Sequence, residues 1–418
     1  MDTITHGIVG ALTGKALFAG HDVPAGSLKN SEGRALSSPT ARAAIVACCL
    51  GSMFPDTDIF AGPLSHNPLA IMEWHRSITH SIVMMPLWAL LLAAVSIPLA
   101  RWAKWQPPPF WLLFLTYAAG IATHIFLDLV TSFGTMVWSP LRYTRPAWDW
   151  IFIIDLTLTG LALAPQLAAW VYRDPGKFWP RAVGVWILLA AGSFGTFLFA
   201  SVEGYGFPIF FAVAATAVLA AVIFLPALRG TGFRWTRAGW CRAGLALVCA
   251  YVSLAAAAHY KALADVDRFA ASDGLQADNT AALPLPPTLT HWVALVNTPT
   301  GVWRATFHEP GGTIESKEFY ADVPAGHLVE NAEKLRDVQV YLWFARFPVW
   351  RAVPLGDGQT AIDISDVRFF REGDPVVPAG SPDSNLLAGR PSRRRGFTFE
   401  IVFDAQGNVL SHGFKEPE

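Results

Sequence analysis

Long apolar runs recur through the first 260 residues, at about 82–100, 110–130, 150–172, 182–201, 207–226 and 241–260. Each has roughly the 20-residue length that a helix needs to cross a hydrocarbon core of about 30 Å. Two weaker segments precede them. Residues 4–19 carry Gly7, Gly10 and Gly14 and are interrupted by His6 and Lys15. The glycines suit a helix packed closely against others. Residues 43–60 are apolar as far as Phe54 and then read Pro55-Asp56-Thr57-Asp58. The pattern predicts an α-helical polytopic membrane domain of about eight helices, two of them weak or short.

Beyond residue 260 the pattern changes. Residues 261–287 read as a linker that ends in Leu283-Pro284-Leu285-Pro286-Pro287. Short runs rich in β-branched and aromatic residues follow at 291–297, 302–308, 313–319, 338–344, 349–353, 360–370 and 397–403. Pro310-Gly311-Gly312 and Gln406-Gly407-Asn408 mark turns. One helix is expected at 327–337. Residues 378–395, ending in Arg393-Arg394-Arg395, read as a mobile solvated loop, with lipid headgroups as the sharper alternative. The expected division is a membrane domain at 1–260, a linker at 261–287 and a small, mostly-β soluble domain at 288–418.

Joining the spans in alternation collects most loop Lys and Arg residues on one side, Lys29, Arg101, Lys104 and Arg173 among them. The short loops of the other side hold only Arg76, Arg142 and Arg145. The positive-inside rule makes the first side cytoplasmic. The N-terminus and the β domain are then expected outside the cytoplasm, on a multi-pass protein of the cell (inner) membrane.

Composition agrees. The chain has 418 residues, of which 53% are hydrophobic and 15% charged. Both values depart from the soluble norm in the membrane direction. The net charge of −1 and the absence of a dominant basic tract give no reason to expect nucleic acid. Cys48, Cys49, Cys241 and Cys249 lie in apolar runs without metal-site spacing. The N-terminus does not read as a cleavable signal peptide, because Asp2 and His6 stand where a basic region belongs.

The threading places a set of polar residues at one depth. His124 and Asp128 are four apart near the end of the 110–130 run and share a helix face. His6 lies at the outer start of the first segment, and Asp56 and Asp58 at the outer end of the second. His75, Arg76 and His80 come just before the third. Taken singly, Asp56 reads as a helix cap, His6 as a packed histidine and Arg76 as a headgroup anchor. Four segments presenting imidazoles and carboxylates on one face of the membrane are less easily explained so. These types suit Zn²⁺ or a similar divalent ion, and seven ligands, His6, Asp56, Asp58, His75, His80, His124 and Asp128, exceed one tetrahedral shell. One or two ions are therefore expected. Further along, Trp148 and Trp150 fit an interfacial belt, with Asp149 expected to cap a helix. Asp155 is expected a turn inside that helix, where it needs a partner: a ligating histidine, Arg142 or Arg145.

The segments Met1-Asp-Thr-Ile-Thr-His-Gly7, Pro55-Asp-Thr-Asp58, His75-Arg-Ser-Ile-Thr-His-Ser81, Thr123-His-Ile-Phe-Leu-Asp128 and Trp148-Asp-Trp-Ile-Phe-Ile-Ile-Asp155 together resemble the YdjM-type family of membrane-bound metal-dependent hydrolases. The likeness is strong over the first 160 residues and otherwise one of layout. The order of His, Asp, His and His-x-x-x-Asp is also distantly similar to the zinc-dependent phospholipase C and single-strand nuclease class. That class adds histidines after its last motif, whereas the next one here is His259.

The expectation is a metal-dependent hydrolase at the outer membrane–water interface. Asp58 would take a proton from water, and Arg76, with Arg142 or Arg145, would hold a phosphate. Headgroup depth makes a membrane phospholipid or lipid-linked phosphoester the natural substrate, with a peptide or amide still open. A transporter is one rival, weakened by the near absence of polar groups in the last three spans. A non-catalytic assembly protein whose helices are tied by metal is another.

Overall fold

The computed structural model describes residues 1–18, 39–65, 67–104, 107–202, 209–286, 288–322, 326–370 and 397–415. Most of the loop after the first apolar segment and all of the Arg-rich loop at 378–395 lie outside the described residues. The chain begins with α1 (Thr3–Leu17) and α2 (Pro39–Met53). Pro55 ends the α-helical ladder, and the chain tightens into a 3-10 turn at Phe54–Phe60. Two short helices follow, α3 (Ala61–Ser65) and α4 (Ala70–Glu73). Next come α5 (Met85–Trp102), α6 (Phe110–Leu129), α7 (Leu156–Val171), α8 (Phe178–Val202), α9 (Ile209–Leu228) and α10 (Arg237–Ser272). Among the described residues, six helices are long and apolar enough to cross a membrane. The shorter α1 and α7 complete the set anticipated from the hydrophobic pattern.

Close backbone approach organises the first half. A Cβ at Gly10 of α1 would lie 2.4 Å from the Ser52 Cβ, so α1 and α2 meet where only glycine fits. Packing α2 against α6 in the same way leaves α1, α2 and α6 as one tight group, with α10 and α7 closing its other side.

The segment read as a linker does two jobs over its described residues, 261–286. Its first part continues α10, which at 36 residues is about 54 Å long and outruns a bilayer core of about 30 Å. Ala262, Val266, Phe269 and Ala270 recur at helical spacing and cover one face of a sheet. Polar residues on the opposite face hid that stripe. Its second part is β1 (Asn279–Leu285). This strand opens an antiparallel meander with β2 (His291–Thr298), β3 (Gly301–His308) and β4 (Thr313–Ala321). Alternation assigns Ala282, Trp292, Ala294 and Val296 to the α10 face. Ala281, Leu283, Val293 and Leu295 face Phe347, Val349 and Val367 instead.

Helices α11 (His327–Glu333) and α12 (Arg336–Phe344) come next. The run at 338–344, read as a strand from its side chains, is helical because Val338, Tyr341 and Phe344 fall on one buried face three residues apart. A second meander follows, β5 (Pro348–Gly356), β6 (Gln359–Asp366), β7 (Thr398–Phe403) and β8 (Val409–Phe414). Its Ile362, Ile364, Phe399, Ile401 and Phe403 share a core with α12 and with Leu69 and Met72 from the membrane half. Arg346 makes a bidentate pair with Asp149 at 2.9 and 2.8 Å, and Arg368 donates to the Ser132 carbonyl at 3.0 Å. The β half is therefore docked on the bundle end that carries the loops around Asp58 and Ser132.

This architecture changes what a free-standing fragment needs. Residues 288–418 lack both β1 and the α10 cover of the first sheet. That fragment is expected to show no cooperative thermal transition, whereas one beginning at Lys261 should show one. Matching melts would mean that β1 and the α10 extension are dispensable.

Candidate metal centre

Helix α6 supplies the base of the centre. His124 and Asp128 point inward from its last turns, and both are fully buried. The His124 Nδ1 donates to the Ser52 carbonyl of α2 at 2.7 Å. A carbonyl only accepts, so the proton sits on Nδ1 and the Nε2 lone pair faces the interior. The 3-10 turn after α2 brings in Asp56. The loop before α5 brings in His80, in a single 3-10 turn at Ile78–His80. Helix α1 brings in His6, whose ring stacks on His124 at 3.6 Å between centroids.

Four ligand-type atoms converge. From the His80 Nε2 it is 2.9 Å to the His124 Nε2, 3.2 Å to the Asp128 Oδ2 and 3.6 Å to the Asp56 Oδ1. The His124 Nε2 lies 3.5 Å from the Asp56 Oδ1 and 3.4 Å from the Asp128 Oδ2. A tetrahedral shell with bonds of about 2.0 Å has ligand–ligand edges of about 3.3 Å. The observed separations bracket that value. His6 joins from the side, its Nε2 3.1 Å from the other Asp128 oxygen. One atom each from His6, Asp56, His124 and Asp128 lies within 4.8 Å of the others. The buried Asp128 Oδ2 has no hydrogen bond of acceptable geometry, although three nitrogens surround it. A carboxylate oxygen and imidazole nitrogens crowded on one point suit a cation, which would take the place of the proton on the His80 Nε2.

Asp58 stands one step back. Its Oδ1 is 2.8 Å from the His75 Nδ1, and its Oδ2 is 3.2 Å from the His80 Nδ1. It also accepts from the Arg76 amide at 3.0 Å and the Thr79 hydroxyl at 2.9 Å. Asp58 thus fixes the tilt of His80, and His75 meets the centre through Asp58 and the edge of the His80 ring. Burial pushes the His80 ring toward the neutral form. The Asp128, Asp56 and Asp58 carboxylates outweigh it and hold the ring's pKa up at about 10.

Arg76 is buried, with φ +61°, and its Nε lies 3.0 Å from the Asp128 Oδ2. The left-handed backbone turns its guanidinium under the loop, where it also donates to the Thr131 hydroxyl at 3.0 Å. Arg145 shares the Phe133 ring with it. Burial and the neighbouring Arg76 and Arg368 charges lower the Arg145 pKa to about 9. Arg142 lies exposed.

Two expectations near the belt are corrected. Asp149 caps no helix: it has φ +56° and pairs with Arg346. Asp155 is itself the N-cap of α7, accepting from the Leu158 amide at 2.9 Å. Its partners are the Tyr251 and Thr288 hydroxyls, at 2.7 and 2.5 Å, rather than an arginine or a site histidine. Tyr251 lies in an expected span and Thr288 just after the expected linker, and neither residue stands in a local motif that pairs it with Asp155. The sequence reading also passed over Thr3, which bonds Asp56 at 2.5 Å, and the Ser52 carbonyl. Thr3 sits inside a quoted motif and was findable; a backbone carbonyl was not.

A bundle of apolar helices that buries a cluster of histidines and carboxylates near one end defines a polytopic membrane protein with a polar centre. Residues 1–205, the part of the chain that bears the site, match the family model for YdjM inner membrane protein. The match ends just past α8 and leaves α9, α10 and both sheets outside it. Neither a curated protein nor a solved structure matches the chain.

Proposed function

We propose that this protein is a membrane-bound, metal-dependent hydrolase whose substrate is a phosphoester at headgroup depth. The observation that carries the reading is the convergence of His80, His124, Asp56 and Asp128 on one point at tetrahedral spacing. These four would hold a Zn²⁺-like ion, with His6 as a further ligand. Such an ion supplies Lewis-acid activation of water and polarisation of the scissile bond.

The chain's own groups divide the remaining work. Asp58 has both oxygens engaged, so it orients His80 and His75 rather than taking the proton that its sequence position suggested. His75 is only partly buried and directs its Nδ1 at Asp58. With the proton on Nδ1, its Nε2 is left as the base, the role of a carboxylate-oriented histidine. Arg145 keeps a buried Nε without a hydrogen-bond partner beside Arg76, a cationic pair suited to phosphate oxygens. Exposed Ile59, Phe60, Leu64, Ile78 and Trp138 surround these loops and suit acyl chains.

Metal analysis of the purified protein, combined with mass spectrometry of lipid extracts incubated with it, tests the reading. Bound zinc and a chelator-sensitive phosphoester product are expected. Protein that is metal-free and stays inert when zinc is added would defeat it.

The loop bias puts the centre and the β half on the extracytoplasmic side. Reporter fusions at Lys104 and Glu418 are accordingly expected on opposite faces, with Lys104 cytoplasmic. The same face for both would overturn the orientation.

A further inference from the structure

A second group of ligand-type side chains lies in the first sheet, well outside the bundle. His291 opens β2 and His308 closes β3, and the two are direct cross-strand partners. Their rings stack with centroids 4.4 Å apart and planes 16° from parallel. The His308 Nε2 lies 3.3 Å from a Glu315 oxygen on β4. One ligand atom from each of His291, His308 and Glu315 lies within 4.8 Å of the other two.

Local structure prepares both rings. The His291 Nδ1 donates to the Pro286 carbonyl at 3.2 Å, and the His308 Nδ1 donates to the Thr290 carbonyl at 3.2 Å. A carbonyl cannot donate in return, so each bond keeps the proton on Nδ1 and makes Nε2 the basic nitrogen. Ligating histidines are oriented in this way by their outer partners. Glu315 owes its position to an irregularity. Thr306 pairs with Ser316 but Phe307 pairs with Ile314, so Glu315 is the extra residue of a β-bulge. A bulge breaks the regular alternation and re-aims a side chain. Here it brings a carboxylate to the histidine pair.

We propose that His291, His308 and Glu315 form a second divalent transition-metal site, independent of the membrane centre. Two imidazoles and one carboxylate with open positions suit Zn²⁺ or Cu²⁺ rather than Ca²⁺ or Mg²⁺. His308 and Glu315 are about half exposed, so the ion exchanges with solvent. The ion ties β2, β3 and β4 together beside the turn through which Thr288 docks on Asp155. Its binding therefore stabilises the base of the β half against the bundle.

Zinc titration of the full-length protein in detergent tests this, with wild type, His308→Gln, Glu315→Gln and Asp128→Asn compared. The histidine and glutamate variants are expected to weaken one Zn²⁺-binding component by at least about tenfold and to leave the rest intact. Asp128→Asn should keep that component. Cu²⁺ bound to the Asp128→Asn protein should show nitrogen hyperfine coupling that His308→Gln, added to it, reduces. Isotherms for His308→Gln and Glu315→Gln that superimpose on wild type would overturn the site, whatever Asp128→Asn does. An Asp128→Asn isotherm identical to wild type would strike only at the membrane centre.

Discussion

Asp128→Asn and His124→Ala are each expected to lower zinc affinity by more than about 100-fold and to abolish hydrolysis, while Asp58→Asn costs about 10- to 100-fold. The gradient follows from position. Asp128 presents its Oδ2 to His80, His124 and Arg76 and its Oδ1 to His6, so its loss removes a ligand and leaves Arg76 buried beside an amide. Asp58 touches the centre only through the far nitrogen of His80. Its loss lets that ring turn without removing a ligand atom. A hydrogen-bonded staple between helices behaves differently. It would bind no metal in the wild type, and His124→Ala would simply destabilise the protein by leaving Asp128 buried without that partner. Zinc content and thermal melts of the three variants separate the two pictures. Equal, small losses for Asp58→Asn and Asp128→Asn would remove the metal centre from consideration.

What could be read from the chain depended on whether the signal was local. His124 and Asp128 are four apart on a helix, and that spacing alone placed both on one buried face. His6, Asp56 and His80 required a threading of the spans, and the contacts at 3.1 to 3.6 Å agree with it. The separate duties of Asp56 and Asp58 were out of reach. Two residues apart on a 3-10 turn, they diverge, one toward His80 Nε2 and the other toward His80 Nδ1. Taken singly, Arg76 was read as a headgroup anchor at the surface, because nothing in its neighbours announces a left-handed backbone that buries it. The α10 extension was missed for a different reason. Its apolar stripe is narrow, and charged residues such as Lys261, Asp265 and Arg268 dominate any average over the segment. The second sheet was anticipated in outline because strands of alternating β-branched and aromatic residues carry their own signature, except at β8, where exposed residues leave no alternation.

The geometry of the centre also depends on a residue that touches no ligand. A Cβ at Gly120 of α6 would lie 2.3 Å from the Cys48 carbonyl and 2.8 Å from the Ser52 amide. Both are backbone atoms of α2 and cannot rotate away, so Gly120→Ala requires α2 to retreat by about 1 Å to reach ordinary contact. Overpacking of this kind costs about 1–3 kcal/mol. The same retreat pulls the Ser52 carbonyl from the His124 Nδ1, now at 2.7 Å, and frees the ring to turn its Nε2 away from Asp56 and Asp128. Gly120→Ala is therefore expected to lower the melting temperature and to weaken zinc binding by about tenfold or more, in the range of a lost outer partner. Gly184→Ala on α8 is the control, because nothing lies within 4 Å of a Cβ there. It should leave both measurements near wild type. If Gly120→Ala melts lower but binds zinc as tightly as wild type, the helix approach supports the fold without setting the orientation of His124.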